Sequence, residues 1–201
     1  MRSIQAAMRA DQPIVISGPS GVGKGALIKK LRDTHRGLFA LTVSHTTRSP
    51  RPGEVDGVDY YFVSDPQFTA LVTQDKFIEH TTFSGSMYGT SRRAIIDQVA
   101  KSLVQGTIVL FDIDLEGVKQ LQGSPEIPVA RYVFVEPPSL EELERRLRSR
   151  GTENEEDILR RMAQAKTELE YADATPGLHD LIIVNDDMER AYRELEEFIF
   201  R

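Results

Sequence analysis

The amino-acid sequence predicts an α/β protein, in which a parallel sheet carries helices on both faces and a smaller β-rich subdomain is inserted. Short apolar runs typical of buried strands alternate with runs of helical period along most of the chain, which favours parallel strands joined by helices. The stretch from residue 44 to about 91 breaks this alternation with further strand-like runs and tight turns at Pro52-Gly53 and Asp56-Gly57. This stretch predicts a mixed, largely antiparallel sheet. A glycine-rich turn, Gly18 to Lys24, joins the first strand to the first helix.

The sequence patterns give each element an approximate position. Core strands are expected at 14–17, 39–43, 107–112, 131–135 and 181–184, with further strands at 60–63 and 77–83. Helices are expected at 25–34, 66–74, 92–105, 115–121, 140–148, 154–171 and 188–199. Gly106 is expected to end the helix that precedes it, and Thr152 with Glu155 to form a capping box for the long helix.

Length, charge and composition exclude several classes of function. The 201 residues can form one sizeable core. A net charge of −6, from 25 basic and 31 acidic residues, argues against non-specific binding to nucleic acid or to an anionic membrane. The absence of cysteine excludes disulfides, thiolate metal sites and a cysteine nucleophile. No run reaches the ~20 apolar residues of a membrane span, and the N-terminal residues lack the apolar core of an export signal. We therefore expect a cytoplasmic location.

The turn Gly18-Pro19-Ser20-Gly21-Val22-Gly23-Lys24 has the sequence of a phosphate-binding P-loop. Its glycines allow backbone N–H groups to surround phosphate oxygens at a helix N-terminus, and Lys24 is placed to reach the β- and γ-phosphates. The motif therefore predicts that the protein binds a nucleoside triphosphate. The alternative is a tight strand-to-helix turn that only resembles the motif. The predicted strand before it and helix after it favour the P-loop.

The position after the lysine departs from the P-loop motif, and this concerns metal binding. The motif has Ser or Thr there, whose hydroxyl group binds Mg²⁺, whereas this chain has Gly25 followed by Ala26. Magnesium would then be held by nucleotide oxygens, waters and a carboxylate from elsewhere. Asp112 is the candidate, with Asp114 two residues on, because it ends an apolar strand at the sheet edge where such folds bind ligands. The alternative is that these two carboxylates cap the next helix.

Arginines are concentrated in three stretches of the sequence. These are a proline-containing loop with Arg48 and Arg51, a helix and its end with Arg145, Arg146, Arg148 and Arg150, and a second helix with Arg160 and Arg161. Guanidinium groups present a planar set of donors that suits phosphate oxygens. Arginine clusters accompanying a P-loop suggest closure around a phosphoryl group in transfer. The alternative is a solvated basic face paired with nearby glutamates. We prefer that alternative for Arg145 and Arg160 and leave it open for the others.

Two acidic residues of the inserted region suggest a site for a nucleobase. Glu79 follows the apolar Phe77-Ile78, and Glu54 follows a Pro-Gly turn. A carboxylate repels phosphate, but it can accept hydrogen bonds from the adjacent N1–H and N2–H₂ groups of guanine, which adenine lacks. The sequence therefore favours a guanine nucleotide over an adenine nucleotide at this second site.

Taken together, these motifs resemble those of the guanylate kinase family from Pro13 to about Phe200. The resemblance rests on long motifs in the same order: GPSGVGK (18–24), VSHTTRSPRPGEVDGVDYYFV (43–63), FIEHTTFSGSMYGTS (77–91), FDIDLEG (111–117), RLRSRGTENEEDILRRM (146–162) and IVNDD (183–187). It implies a single domain, residues 13–201, after an N-terminal extension of residues 1–12. The domain would comprise a P-loop kinase core (13–43, 92–145 and 172–201), a GMP-binding subdomain (44–91) and a helical lid (146–171).

The resemblance also implies an activity, which is reversible transfer of the γ-phosphoryl group of ATP to GMP, and dGMP as well, with Mg²⁺. ATP and GMP would be the small-molecule partners of a monomer, with no nucleic-acid or membrane partner. The catalytic candidates are Lys24, Arg51, Arg150 and Arg161, which with Mg²⁺ would neutralise charge on the group in transfer.

The resemblance assigns binding roles to further residues. ATP would be bound by the P-loop from Gly18 to Gly25, by Arg146, and by Asn185 near the adenine. The GMP phosphate would be bound by Ser44, Arg48, Arg51, Tyr60 and Tyr88, and the guanine base by Glu79 and Thr90 next to Gly89. Glu54, Asp112 and Asp114 would lie near the GMP, with Asp112 also near the metal, directly or through water.

Three features depart from the family pattern. Gly25 lacks the hydroxyl group expected to help bind the metal, Ser86 stands where the family often has Asn, and the helix at 92–105 is about one turn longer than expected.

Two other functions compete with the one that the resemblance implies. The first is a catalytically inactive guanylate-kinase-like module that binds a phosphorylated partner protein, which Gly25 and Ala26 would suit. Lys24, Asp112 and the lid arginines argue against it. The second is a kinase for another nucleoside monophosphate, which Glu79 disfavours.

Overall fold

The computed structural model describes residues 12–83, 85–122, 124–125, 127, 129–149, 151 and 154–201. Its strands are β1 (Ile14–Ser17), β2 (Phe39–Leu41), β3 (Ser44–Thr46), β4 (Tyr60–Phe62), β5 (Phe77–Phe83), β6 (Ser86–Ser91), β7 (Ile108–Asp112), β8 (Arg131–Glu136) and β9 (Leu181–Val184). Its helices are α1 (Lys24–Thr34), α2 (Asp65–Thr73), α3 (Arg92–Gln105), α4 (Leu115–Gln122), α5 (Leu140–Ser149), α6 (Glu155–Ala174) and α7 (Met188–Phe200).

The larger sheet has five strands in the order β2-β7-β1-β8-β9, and every neighbouring pair in it is parallel. Its central strand, β1, is completely buried and supplies side chains to both faces. Ile14 and Ile16 pack with apolar side chains of α1, α5 and α7, whereas Val15 packs with those of α3 and α4 on the other face. The doubly covered parallel sheet is therefore confirmed, and the carboxyl end of β1 carries the P-loop.

The smaller sheet has four strands in the order β4-β3-β6-β5. The β3–β4 pair is parallel, whereas β6 is antiparallel to both β3 and β5, so the predicted mixed β-rich insertion is confirmed. The sequence patterns do not predict β3 or β6. The residues of β3, Ser44 to Thr46, are all polar, and Gly89 weakens the strand signal of β6.

The long helix of the predicted lid begins differently from what the sequence suggests. Its N-cap is Asn154, whose side chain accepts a hydrogen bond of 2.9 Å from the Asp157 backbone N–H. The predicted capping box pairs Glu155 with Thr152, which lies outside the described residues, whereas the observed cap is Asn154. Asparagine is a good cap, and the helix begins at Glu155, one residue later than predicted. Within the described chain, no helix is both long enough and apolar enough to cross a membrane.

Candidate active site

A cleft of about 370 Å³ lies between the carboxyl ends of β1 and β7 and the smaller sheet. Most of the residues singled out from the sequence line it: Gly18, Pro19, Ser20, Gly21, Gly23, Lys24, Gly25, Ser44, Arg48, Arg51, Tyr60, Glu79, Tyr88, Gly89, Asp112, Asp114 and Arg161. Val22, Glu54, Thr90, Arg146 and Asn185 are placed behind this lining. Arg150 lies outside the described residues, so its predicted role stays a prediction.

The P-loop is shaped by glycines in backbone conformations that other residues rarely adopt. Gly18 has a φ of +132° and Gly23, the N-cap of α1, a φ of +107°. A Cβ atom at Gly18 would collide with the backbone carbonyl of Val135, and one at Gly23 with the Asn185 amide. The loop therefore turns tightly into α1, and the first N–H groups of that helix are available for an anion.

Lys24, the first residue of α1, extends its side chain along the P-loop. Its Nζ atom donates to the Gly18 carbonyl oxygen at 2.5 Å and lies 4.0 Å from Asp112 Oδ1. The ammonium group thus lies between the loop and the end of β7, where charge on a bound triphosphate would meet it.

Residues from the lid and the end of β9 support the P-loop. Arg161 of α6 donates from Nη1 to the Ser20 hydroxyl oxygen at 2.6 Å. Asn185 Nδ2 donates to the Val22 carbonyl oxygen at 2.7 Å, and Arg146 donates to the same oxygen at 3.3 Å and to the Asn185 carbonyl oxygen at 2.9 Å. Arg146 and Asn185 therefore hold the P-loop from the side that faces away from the cleft. Of these three residues, Arg161 is the one that lines the cleft.

Three other arginines of α5 and α6 form exposed ion pairs. Arg145 pairs with Glu142 at 2.7 Å, and Arg160 pairs with Asp157 at 2.5 Å, in agreement with the surface role preferred for both. Arg148 pairs with Glu144 and Glu155 on the same surface. Exposed pairs of this kind contribute little to stability because solvent screens them.

Arg48 and Glu54 organise the side of the cleft formed by the smaller sheet. Two guanidinium nitrogens of Arg48 donate to the two Glu54 carboxylate oxygens at 2.7 and 2.8 Å, and the Arg51 backbone N–H donates to Glu54 at 2.6 Å. These bonds, with that from Arg48 the largest cause, hold the pKa of Glu54 below its usual value. Arg48 lies 5.1 Å from the centre of the Tyr60 ring. Glu54 is therefore a support for the two arginines and does not itself line the cleft.

Glu79 lies at the deep end of the same side and is almost completely buried. It accepts a hydrogen bond from the Thr90 hydroxyl group, and Thr90 lies 2.8 Å from the Ser44 hydroxyl oxygen. Desolvation raises the pKa of Glu79 to about 7, opposed by the bond from Thr90. A Cβ atom at Gly117 would come within 2.9 Å of Glu79 Oε2, so the glycine leaves room for this carboxylate.

Asp112 is the last residue of β7 and Asp114 lies two residues beyond it, and the charge of Lys24 acts on both carboxyl groups. Desolvation raises the pKa of Asp112, and the Lys24 ammonium group opposes the shift. Asp114 Oδ1 accepts a hydrogen bond of 2.8 Å from the Gly117 backbone N–H. Asp114 thus caps α4, as one interpretation of the sequence holds, while also lining the cleft.

The donor set fits magnesium only as a nucleotide complex. No group of three or more His, Cys, Asp or Glu side chains suited to a metal ion occurs in the described part of the chain. Mg²⁺ prefers oxygen ligands and commonly binds through one or two carboxylates, waters and phosphates. Asp112 can supply one such carboxylate. A Cβ atom added at Gly25 would meet nothing within 4 Å outside its own helix, so no other described side chain occupies the space of the absent one.

The sequence motifs miss one buried carboxylate in the cleft. Glu168 of α6 lines the cleft and is 2% exposed. Desolvation raises its pKa to about 7, opposed by Lys24 and reinforced by Asp114. The available signal is its spacing of about two helical turns from Arg161, which puts both residues on one face of α6. Thr81 and Ile113 also line the cleft; both lie within the quoted motifs, but the sequence patterns assign them no role.

The fold and the cleft define a P-loop kinase, because a P-loop, its lysine and an arginine from a helical lid meet above a parallel sheet. The chain belongs to the guanylate kinase family, since the family model described as guanylate kinase matches residues 10–201.

Individual proteins of the family are similar to almost the whole chain. The guanylate kinase of Schizosaccharomyces pombe is 51% identical over 187 residues, spanning 92% of this chain and 88% of that protein. The human guanylate kinase is 45% identical over 190 residues, spanning 94% and 93% respectively. The crystal structure of guanylate kinase from Anaplasma phagocytophilum is similar with a TM-score of 0.69 and 30% identity, covering 94% of this chain and 84% of that one.

Proposed function

We propose that this protein is a guanylate kinase that transfers the γ-phosphoryl group of ATP reversibly to GMP, and also to dGMP, in purine nucleotide metabolism. The main support for this proposal is that one cleft contains Lys24 of the P-loop and, from the loop after β3, Arg48 and Arg51. Two cationic places for phosphate in a single cleft suit a reaction between two phosphorylated substrates. We also propose that it acts as a cytoplasmic monomer.

In the proposed reaction, a phosphate oxygen of GMP attacks the γ-phosphorus in line, and the bond from that phosphorus to the β,γ-bridging oxygen breaks. The second ionisation of a phosphate monoester has a pKa of about 6, so the attacking oxygen is already ionised near pH 7 and needs no general base. Lys24, Arg51 and Arg161 neutralise charge on the group in transfer. Arg150 belongs to the same proposal by its place in the lid motif.

The proposed selectivity for guanine rests on Glu79. Its carboxylate can accept from guanine N1–H and N2–H₂, and the Thr90 hydroxyl group, which donates to Glu79 in this structure, would turn its one hydrogen toward guanine O6. Adenine lacks the adjacent pair of donors that the buried Glu79 carboxylate would accept, which gives strong discrimination.

Magnesium bound with ATP would neutralise charge on the β- and γ-phosphates. Asp112 would hold it, directly or through water. Arg161, already bonded to Ser20, ties the lid helix to the P-loop, so that closure of the lid excludes water and prevents hydrolysis of ATP.

Transfer of label from ATP carrying ³²P at its γ-position tests the proposal against the inactive-module alternative. We expect labelled GDP to accumulate with GMP, and label to return to ATP when excess ADP is added. A phosphoprotein-binding module with no activity would form no labelled GDP. The presence of Lys24, Asp112 and Arg161 in one cleft favours the enzyme.

A further inference from the structure

Glu168 is a buried carboxylate of the cleft to which no catalytic or binding role has been assigned above. It lies on α6, is 2% exposed, and lines the cleft. Within the described residues its Oε2 atom has no hydrogen-bond partner. A buried acceptor without a donor destabilises the protein that contains it, so Glu168 Oε2 can still accept a hydrogen bond from a ligand in the cleft.

The surroundings of Glu168 locate this acceptor within the cleft. Lys24 and Asp114 are among the charged groups that act on it, and Asp114 in turn acts on Glu79. Asp114 also has a buried oxygen, Oδ2, without a partner among the described residues. Acceptors therefore extend from the proposed guanine site at Glu79 past Asp114 to Glu168, beside the P-loop lysine.

The donors of the proposed substrate match these acceptors one by one. GMP has donors only on its base and on its ribose, since its phosphate is ionised. Glu79 takes the N1–H and N2–H₂ edge, and Arg48 and Arg51 suit the phosphate oxygens. The ATP phosphates offer no donor and would engage Lys24. The ribose hydroxyl groups are then the donors still without an acceptor.

We propose that Glu168 accepts a hydrogen bond from a ribose hydroxyl group of bound GMP, so that Glu168 and Asp114 form the sugar subsite of the cleft. This inference rests on the proposed function. It makes the lid helix bifunctional, because Arg161 serves the P-loop and Glu168, on the same face, serves the other substrate. It also explains why a carboxylate is kept buried in a lid helix.

The test compares GMP with 2′,3′-dideoxy-GMP by isothermal titration calorimetry. The wild-type protein should bind GMP at least about tenfold more tightly, because a buried hydrogen bond to a charged acceptor is lost with the hydroxyl groups. In Glu168→Met this ratio should fall to about twofold or less. Glu168→Gln, which keeps a neutral acceptor, should give an intermediate ratio. 2′-Deoxy-GMP and 3′-deoxy-GMP then identify which hydroxyl group is bound.

The control is Glu170→Met, an exposed position of the same helix that is ion-paired with Lys166, and it should leave the ratio unchanged. The proposal is overturned if Glu168→Met keeps the wild-type ratio or weakens both ligands equally, which would indicate a structural role only. If a thermal melt shows that Glu168→Met does not fold, the ratio of the affinities for GMP and 2′,3′-dideoxy-GMP is measured on Glu168→Gln, and a wild-type ratio there overturns the proposal. A wild-type protein that binds GMP but forms no GDP contradicts the proposed function alone.

Discussion

Arg161 of the lid helix and Ser20 of the P-loop are joined by a hydrogen bond of 2.6 Å. The bond brings a guanidinium group from a distant part of the sequence to the loop expected to bind the triphosphate. It places a permanent positive charge where negative charge would develop during transfer.

Arg161→Met should lower kcat at least about 100-fold, because the lost charge acts on the group in transfer. The KM for GMP should change much less. Arg160→Met is a matched control, since the adjacent Arg160 forms only exposed ion pairs with Glu156 and Asp157. Steady-state rates of both variants check this expectation, and equal rates for the two would contradict it.

Lys24→Met should reduce the rate by orders of magnitude while the protein stays folded. The side chain donates to the Gly18 and Pro19 carbonyl oxygens of the P-loop and approaches Asp112, so its loss removes charge from the site and little packing. Lys29→Met, on an exposed face of α1, should keep wild-type activity. Near-full activity of purified Lys24→Met would show that the P-loop does not serve catalysis.

Glu54→Gln should raise the KM for GMP about tenfold, because one charged hydrogen bond to Arg48 is lost and the arginines lose their fixed positions. The KM for ATP serves as an internal control and should stay the same, since Glu54 bonds to Arg48 and Arg51 on the GMP side of the cleft. Initial rates at varied GMP and at varied ATP separate the two constants. A parallel rise in both would indicate general unfolding instead.

The stability of the empty protein should fall as pH rises through the titration of Glu79. Its pKa is raised by desolvation from 4.5 to about 7 in the folded state, so the folded state binds the extra proton between these values. The favourable contribution is complete below pH 4.5 and lost by about pH 7. Relative to Glu79→Gln, the wild type should lose on the order of 2 kcal/mol of unfolding free energy between pH 5 and 8. Urea denaturation at each pH measures it, and a constant difference would refute the assignment.

Gly25→Ser should leave the Mg²⁺ requirement almost unchanged. The added side chain meets nothing within 4 Å, so the substitution is sterically harmless, and Asp112 with waters and nucleotide oxygens would already complete the metal shell. Titration of the reaction rate with Mg²⁺ measures the requirement. A large fall in the requirement would show that the missing hydroxyl group limits metal binding in this protein.

The parts of the fold and site that depend on local sequence were predictable. The P-loop could be recognised because its glycines and lysine act within a few residues of one another, and α3 was predicted with its observed bounds. β3 could not be, because three polar residues become a strand only by pairing with β4 and β6.

The positions of several site residues depend on packing between distant segments. Arg146 and Asn185 both reach the Val22 carbonyl oxygen from outside the cleft, a placement that no spacing in the sequence indicates. Glu168 is buried in the cleft because α6 contributes to the lining, together with segments distant in the sequence. Its spacing from Arg161 was the single available signal, and a glutamate at that spacing is more often solvent-exposed.

The most direct test of the central claim is a coupled assay of ADP release with Mg²⁺ and ATP, which compares GMP, dGMP, AMP and UMP. The account predicts rapid turnover with GMP, slower turnover with dGMP, and kcat/KM values for AMP and UMP lower by about 10⁴ or more, because their bases lack the adjacent pair of donors that Glu79 would accept. Absence of turnover with GMP, or equal turnover with AMP, would contradict it.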